Sequence, residues 1–223
     1  MSNRYNKWAM GNNTTTGKPT DGPIARYLNR RISLPISRAI VRSGLPISPD
    51  LMSLFSFSIG IVAALLFAIG LPLGGGVLAQ LSSILDGCDG EIARLTRRQS
   101  TRGAILDAIL DRLADGALII GMTIFAYGNS TALASLPGEG GHWAIVWGFL
   151  ALIGAYGISY SSAIARAMGR EDYPRAVAGR DVRLFLIMLA GIASTFIPIS
   201  MLFSLMLLAL SALIELASRL TRT

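Results

Sequence analysis

Residues 51–70 read LMSLFSFSIGIVAALLFAIG, an apolar run without a single charged side chain. An α-helix of about 20 residues is roughly 30 Å long, which matches the hydrocarbon core of a bilayer. Pro49 and Asp50 precede the run. They suit a first helical turn, because proline fixes a helical backbone angle and a carboxylate complements the positive end of the helix dipole. The run therefore predicts a membrane-spanning helix.

The composition of the whole chain agrees with this prediction. Of the 223 residues, 52% are hydrophobic and only 15% are charged. A water-soluble domain carries more charge than this, and a disordered chain is far less hydrophobic. Cys88 is the only cysteine, which excludes a small secreted domain held together by disulfides. These observations leave an integral membrane protein.

Five more apolar segments follow the first one. They cover approximately residues 74–95, 103–127, 143–168, 182–197 and 200–220. Basic residues indicate the orientation, because cytoplasmic loops are enriched in Lys and Arg. Of the 20 Lys and Arg, all but Arg112 lie in residues 1–50, 94–102, 166–183 and 219–222. We therefore expect an all-α integral membrane fold with six transmembrane helices in the cytoplasmic membrane and both termini in the cytoplasm.

The segment before the first span has a different pattern. Residues 21–44 interleave apolar residues with five arginines. This is typical of an amphipathic helix that lies on the cytoplasmic membrane surface with its arginines on anionic headgroups, and Pro35 predicts a kink or a break in it. Residues 1–20 are polar, so we expect a flexible tail and no cleaved signal. The six-helix membrane domain then occupies residues 45–223.

Acidic residues are concentrated where the second and third spans meet. Asp86 and Asp89 are three residues apart and therefore share one face of a helix. Asp107 and Asp111, four apart, share a face of the next helix. Converging carboxylates repel one another unless cations neutralise them, and oxygen ligands select Mg²⁺ first, then Mn²⁺ or Ca²⁺. We predict that these four aspartates bind one or two divalent metal ions; a purely structural role is the alternative.

Small residues lie beside these carboxylates. Gly90, Ala93 and Gly103 leave room for a flat base and a pyrophosphate to approach the backbone. Arg94 follows Gly90 by one helical turn and offers a bidentate phosphate contact. These four residues are our candidates for nucleotide binding. Close helix packing is the alternative for the small residues, and an internal ion pair with an aspartate is the alternative for Arg94.

The spacing Asp86-x2-Asp89-Gly90-x2-Ala93-Arg94-x8-Gly103-x3-Asp107-x3-Asp111 resembles, at every fixed position, the signature of the CDP-alcohol phosphotransferase family. The resemblance implies a six-span membrane enzyme. The stretch Ser48-Pro49-Asp50-x2-Ser53 is also similar to the Pro-Asn sequence with which the first span begins in this family. Asp50 departs from that pattern, since it stands where the family usually has Asn.

The resemblance implies a role for each matching residue. Asp86, Asp89 and Asp107 would ligate the metals that hold the pyrophosphate of the CDP-alcohol. Asp111 would complete the site of a second metal and act as the general base on the acceptor hydroxyl. The nucleotide would be bordered by Gly90, Ala93 and Gly103 at the cytidine and contacted by Arg94 at a phosphate. This agrees with the chemistry, because attack on the β-phosphorus with loss of CMP needs neutralisation of the phosphoryl oxygens.

A second predicted cytoplasmic loop is rich in arginine. Arg166 and Arg170 end the fourth predicted span, and Arg180 and Arg183 begin the fifth. Guanidinium groups bind phosphate through charge-assisted hydrogen bonds, so the cluster favours a phosphorylated acceptor over serine or ethanolamine. Anchoring of the topology by positive charge is the alternative. Asp181 either orients Arg180 or Arg183 or balances their charge.

Three further stretches are similar to archaeal-type di-myo-inositol phosphate phosphate synthases, which join CDP-inositol to inositol 1-phosphate. They are residues 18–22 with 26–30, residues 82–95 and residues 179–184. The close alternative is a phospholipid synthase of the same family that uses CDP-diacylglycerol or CDP-archaeol with inositol phosphate or glycerol phosphate. A cation transporter with an acidic ion site is a remote alternative.

The expected partners follow from these assignments. They are a CDP-alcohol donor, a phosphorylated polyol acceptor and membrane lipids, without nucleic acid. The expected assembly is a homodimer. Some relatives carry a fused cytidylyltransferase that makes CDP-inositol, and we expect a separate protein to supply the donor here.

Overall fold

The structure, a computed structural model, describes residues 22–129, 140–169 and 179–221. Within these ranges every regular element is a helix, which confirms the predicted all-α fold. A short π-helical turn, Ala25–Asn29, leads into the first α-helix. The α-helices of the described residues are α1 Arg30–Arg42, α2 Pro49–Ala68, α3 Pro72–Leu95, α4 Thr101–Gly128, α5 Gly140–Ala167, α6 Arg180–Phe196 and α7 Ser200–Thr221. Helices α2 to α7 coincide with the six apolar segments.

Local sequence explains where these helices begin and where the chain turns. The Ser48 hydroxyl caps α2 by accepting a hydrogen bond from the backbone N–H of Leu51 at 3.1 Å. Ser100 caps α4 in the same way through the N–H of Gly103 at 3.0 Å. Between α2 and α3 the chain turns at Gly70, whose φ of 88° is readily adopted only by glycine. Three consecutive helices are therefore joined by short connections.

Helices α2, α3 and α4 form the centre of the bundle. Helix α2 packs on both α3 and α4, α3 packs on α6, and α5 packs on α4 and α7. The interior is apolar and contains the fully buried side chains of Phe67, Leu118, Met122, Met201 and Leu205. Burial of such side chains stabilises a fold by dispersion contacts even where the surroundings are apolar.

Glycines let helix backbones touch at two crossings. A Cβ atom on Gly121 of α4 would overlap the carbonyl oxygen of Ala64 in α2. A Cβ atom on Gly76 of α3 would lie 2.8 Å from the carbonyl oxygen of Met188 in α6, and one on Gly191 would overlap the carbonyl oxygen of Pro72. Backbone atoms cannot rotate aside as side chains do. These crossings therefore fix α2, α3, α4 and α6 relative to one another.

Within the described part of the chain, three helices are long and apolar enough to cross a membrane: Pro49–Ala68, Gly141–Ala167 and Ser200–Arg219. The other three of the helices α2 to α7 are not in this group. Helices α3 and α4 carry the acidic residues, and α6 has only 17 residues. Large apolar side chains are exposed on the outside of the bundle, among them Leu65, Phe149 and Ile214. The chain thus has the surface of a membrane-embedded protein, while six crossings stay a prediction.

Helix α1 packs on α3 through polar groups. The hydroxyls of Ser33 and Ser37 donate to the two carboxylate oxygens of Glu91 at 2.7 and 2.6 Å, and Arg30 Nη1 lies 2.6 Å from Glu91 Oε1. Glu91 is only 2% exposed. Arg30 therefore contacts α3 inside the bundle, whereas the sequence suggested a place among the lipid headgroups. Helix α1 also continues through Pro35 without the predicted break.

Candidate active site

Three carboxylates meet where the end of α3 approaches the start of α4. Asp86, Asp89 and Asp107 each contribute one oxygen atom, and these atoms all lie within 4.8 Å of one another. The i, i+3 spacing in α3 places two of them on one face, and the short connection to α4 brings in the third. Oxygen ligands at this separation fit a hard divalent cation.

Asp89 is the buried member of the three carboxylates and is held by two hydrogen bonds. It is 8% exposed. The Ser53 hydroxyl of α2 donates a hydrogen bond to its Oδ2, and the backbone N–H of Gly90 donates to its Oδ1. Helix α2 therefore contributes directly to the site. Sequence reasoning placed Ser53 only within the resemblance at the start of the first span and gave it no role.

Asp111, the candidate base, lies outside this group of three and beside an arginine. Its Oδ1 lies 2.7 Å from Arg180 Nη1, and the same nitrogen lies 2.8 Å from Asp86 Oδ2. Arg180, which the sequence assigned to the acceptor, is thus placed between two carboxylates of the predicted metal site. Its side chain remains 17% exposed.

Asp115 continues the same face of α4 by one more turn and was missed by the sequence reasoning. It is 5% exposed. Its Oδ1 accepts from Arg180 Nε at 3.1 Å and its Oδ2 accepts from Arg183 Nη2 at 2.6 Å. Arg112 Nη1 lies 3.5 Å from the same Oδ2. The i, i+4 spacing of the aspartates at 107, 111 and 115 was the signal that could have found it.

Several carboxylates lie close together at this site. Five aspartates meet here, and the described arginines paired with them include Arg112, Arg180 and Arg183. Neighbouring carboxylates at partly buried positions repel one another, so the arrangement favours a bound cation.

A cavity of about 600 Å³ opens beside the carboxylates. All four predicted nucleotide residues line it, namely Gly90, Ala93, Arg94 and Gly103, together with Asp89 and Asp107. Asp50 and Ser53 contribute from α2. A Cβ atom on Gly103 would lie 3.1 Å from Asp50 Oδ1 and from Ser100 Oγ, so a side chain there would crowd the cavity wall. The volume suits a small-molecule ligand.

The predicted acceptor residues separate into distinct places. Arg180 and Arg183 join the carboxylates through Asp115, and Arg183 is buried. Arg166 is exposed on α5, where its Nε donates to the carbonyl oxygen of Ser162 at 3.2 Å. Asp181 accepts a hydrogen bond from the backbone N–H of Ala25 at 2.9 Å, which ties the start of α6 to the turn before α1. Arg170 lies outside the described residues.

Comparisons with known proteins agree with this geometry. A family model described as CDP-alcohol phosphatidyltransferase matches residues 46–217. The bifunctional IPC transferase and DIPP synthase of Rubrobacter xylanophilus is 40% identical over 188 residues, which cover 83% of this chain and 38% of that protein. The corresponding Thermococcus kodakarensis protein is 40% identical over 179 residues, covering 76% of this chain and 37% of its own length. The chain thus spans less than two fifths of these relatives.

Other relatives match over most of their length. The phosphatidylinositol phosphate synthase of Mycobacteroides abscessus is 33% identical over 177 residues, which cover 78% of this chain and 74% of that protein. The crystal structure of Mycobacterium tuberculosis phosphatidylinositol phosphate synthase with CDP-DAG bound superposes with a TM-score of 0.69 at 27% identity, covering 86% of this chain and 92% of that one. A structure of the same enzyme with manganese and citrate gives 0.70 at 27% identity, covering 85% of this chain and 88% of that one.

Proposed function

Because the chain belongs to the CDP-alcohol phosphatidyltransferase family, we propose that it transfers the phospho-alcohol group of a CDP-alcohol to the hydroxyl of a phosphorylated acceptor and releases CMP. One observation carries this proposal. The cavity lined by Gly90, Ala93, Arg94 and Gly103 opens onto the carboxylates Asp89 and Asp107. A nucleotide held in the cavity has its phosphates beside the cluster that attracts cations.

The preferred substrates are CDP-inositol as donor and inositol 1-phosphate as acceptor. The support is the 40% identity to relatives named as bifunctional IPC transferase and DIPP synthase. The arginines at the start of α6 also favour an acceptor that carries a phosphate.

A lipid donor is the second candidate, and a specific observation favours it. A relative named phosphatidylinositol phosphate synthase, from Mycobacteroides abscessus, is 33% identical, and the match covers 74% of its length. The structural relative from Mycobacterium tuberculosis also binds CDP-DAG. In this version the donor is CDP-diacylglycerol or CDP-archaeol, and the acceptor is inositol phosphate or glycerol phosphate.

The carboxylate cluster fits a divalent metal cofactor. The oxygen atoms of Asp86, Asp89 and Asp107 lie within 4.8 Å of one another, and this donor set of oxygens suits Mg²⁺ or Mn²⁺. We propose these three residues as ligands, with Asp111 completing the site of a second ion. Bound cations would neutralise charge on the phosphoryl oxygens and on the departing CMP.

The residues of the chain supply binding and proton transfer. The four residues of the cavity bind the nucleotide half of the donor, with Arg94 on a phosphate. The acceptor hydroxyl oxygen attacks the β-phosphorus, a new P–O bond forms, and the bond between the β-phosphorus and the oxygen of CMP breaks. Asp111 takes the hydroxyl proton as general base. Arg180, 2.7 Å from Asp111, holds the acceptor near this base.

We further propose that α2 to α7 cross the cytoplasmic membrane, with the active site and both termini facing the cytoplasm. The support is the three apolar helices and the concentration of Lys and Arg around the carboxylate end of the bundle. A homodimer is the proposed assembly, which light scattering of the purified protein would test.

Product analysis tests the proposed reaction. Purified protein is incubated with Mg²⁺ and each pairing of CDP-inositol, CDP-diacylglycerol or CDP-archaeol with inositol 1-phosphate, glycerol phosphate or serine. Mass spectrometry identifies the product and chromatography measures CMP. We expect CMP in stoichiometric amount with a phosphodiester of inositol phosphate. Product with serine, or no CMP with any pairing, would contradict the proposal.

A further inference from the structure

We infer that Asp115 is a positioning residue that holds Arg180 at the phosphate of the acceptor. This inference rests on the proposed function, because it assigns a role within the acceptor site of that reaction. Asp115 lies outside the signature spacing, which ends at Asp111, and it is not one of the three carboxylates that could share a metal. Its contacts with α6 are therefore its main contribution to the site.

Asp115 bonds to Arg183 through one oxygen and to Arg180 through the other, and Arg112 Nη1 also lies 3.5 Å from Oδ2. Oδ2 accepts from Arg183 Nη2 at 2.6 Å, deep between α4 and α6. Oδ1 accepts from Arg180 Nε at 3.1 Å, nearer the carboxylate cluster. A charge-assisted hydrogen bond to one carboxylate oxygen restricts the orientation of the other. Arg183 thus orients Asp115, and Asp115 orients Arg180.

The Nη1 atom of Arg180 lies beside the proposed metal ligand Asp86 and the proposed base Asp111. This nitrogen lies 2.8 Å from Asp86 Oδ2 and 2.7 Å from Asp111 Oδ1. When Asp86 ligates a cation, Arg180 and that cation compete for the same carboxylate. The Nε contact with Asp115 does not depend on Asp86. It would keep the guanidinium in place while its Nη edge turns to an incoming phosphate dianion.

A second buried acid–arginine pair provides a control within the same chain. Glu215 and Arg219 of α7 are both buried, and Arg219 Nε donates to Glu215 Oε1 at 3.0 Å. Arg219 also bonds to Ser161 and Ser162 of α5. This pair ties α7 to α5, and within the described residues neither member pairs with a carboxylate of the cluster. It shows what a purely structural ion pair in this bundle would contribute.

The test measures equilibrium binding in the presence of Mg²⁺, so that it does not require turnover. Calorimetry compares inositol 1-phosphate and CDP on the wild type, Asp115→Asn, Asp115→Glu and Glu215→Gln. We expect Asp115→Asn to bind inositol 1-phosphate roughly tenfold more weakly, with CDP affinity within about twofold of the wild type. Asp115→Glu keeps the charge and should lose less. Glu215→Gln should lower the melting temperature without selecting between the ligands.

Several results would overturn the inference. These are an unchanged affinity of Asp115→Asn for inositol 1-phosphate, an equal loss of affinity for both ligands, or no binding of inositol 1-phosphate by the wild type. If Asp115→Asn does not fold, Asp115→Glu decides by the same criteria, and failure of both to fold would assign Asp115 to stability alone. Selective binding without CMP release would instead contradict the proposed function and leave the role of Asp115 in place.

Discussion

Single residues decide whether the carboxylate cluster can hold a cation. Asp86, Asp89 and Asp107 present oxygen atoms within 4.8 Å of one another. We expect Asp107→Ala to abolish CMP release even in excess Mg²⁺, because a ligand atom is lost. Asp111→Asn should still bind CDP but lose the chemical step, since an amide cannot take the proton. Single-turnover kinetics, together with a separate measurement of CDP binding, distinguishes the Asp107→Ala variant from the Asp111→Asn variant. Near wild-type turnover of Asp107→Ala would contradict the assigned ligands.

Ser53 provides a test of how firmly Asp89 must be held. Ser53→Ala leaves Oδ2 of a buried carboxylate without its hydroxyl donor. A hydrogen bond to a charged group contributes about 1.5–3 kcal/mol. We therefore expect Ser53→Ala to lower kcat/KM roughly tenfold or more, measured at saturating Mn²⁺. Ser58→Ala is the matched control, because Ser58 is exposed and bonds only to the carbonyl oxygen of Leu54 in its own helix. Equal effects of both changes would remove the role of Ser53.

The arginines of the predicted acceptor site differ in their surroundings, and their variants should differ as well. Arg180 contacts Asp86, Asp111 and Asp115, whereas Arg166 bonds to the backbone of its own helix. Arg180→Ala should raise the acceptor KM about tenfold and leave the donor KM nearly unchanged. Arg166→Ala should change both only slightly. Steady-state kinetics with each substrate varied in turn gives the answer. The reverse order would move the acceptor site to the end of α5.

At the scale of elements, helix α1 is joined to the site helix through one buried carboxylate. Glu91 accepts from Arg30, Ser33 and Ser37 and lies one residue after Gly90 of the signature. Breaking a buried pair by removing one charge destabilises by about 3–5 kcal/mol. Glu91→Gln should therefore lower the melting temperature of the detergent-solubilised protein and reduce turnover together. Arg38→Gln, on the exposed face of α1, is the control and should change neither. If Glu91→Gln were as stable as the control, the claim that Glu91 joins α1 to the site helix α3 would be contradicted.

The sequence predicted features that lie within a single helix. It did not predict most contacts between side chains of helices far apart in the chain. Apolar length predicted α2 to α7, and the i, i+3 spacing brought Asp86 and Asp89 together. The partner of Glu91 could not be predicted, because Ser33 and Ser37 precede it by more than fifty residues and look like the polar face of a surface helix. The same limit applies to Asp115. Its neighbours Arg180 and Arg183 come from a helix that no local pattern connects to α4.

At the scale of the whole molecule, the topology is the prediction that is most easily tested. Residues 128–141 carry no Lys or Arg, whereas residues 94–102 carry four. We expect a cysteine from Thr131→Cys to react with a membrane-impermeant maleimide in intact cells and one from Arg98→Cys to react only after lysis. Cys88 is buried and provides the unreactive background. Labelling in the reverse order would overturn the orientation.

The crossing of α3 and α6 has a mechanical consequence. Gly76 and Gly191 bring the two backbones into contact, and no side chain can yield at that point. Asp86 lies ten residues from Gly76, and Arg180 lies eleven from Gly191, so both are about 15 Å along their helices from the crossing. From this crossing α3 extends as a rigid rod to Asp86, and α6 extends in the same way to Arg180. The angle fixed at this crossing sets the gap at the far end between the Asp86 carboxylate on α3 and the Arg180 guanidinium on α6.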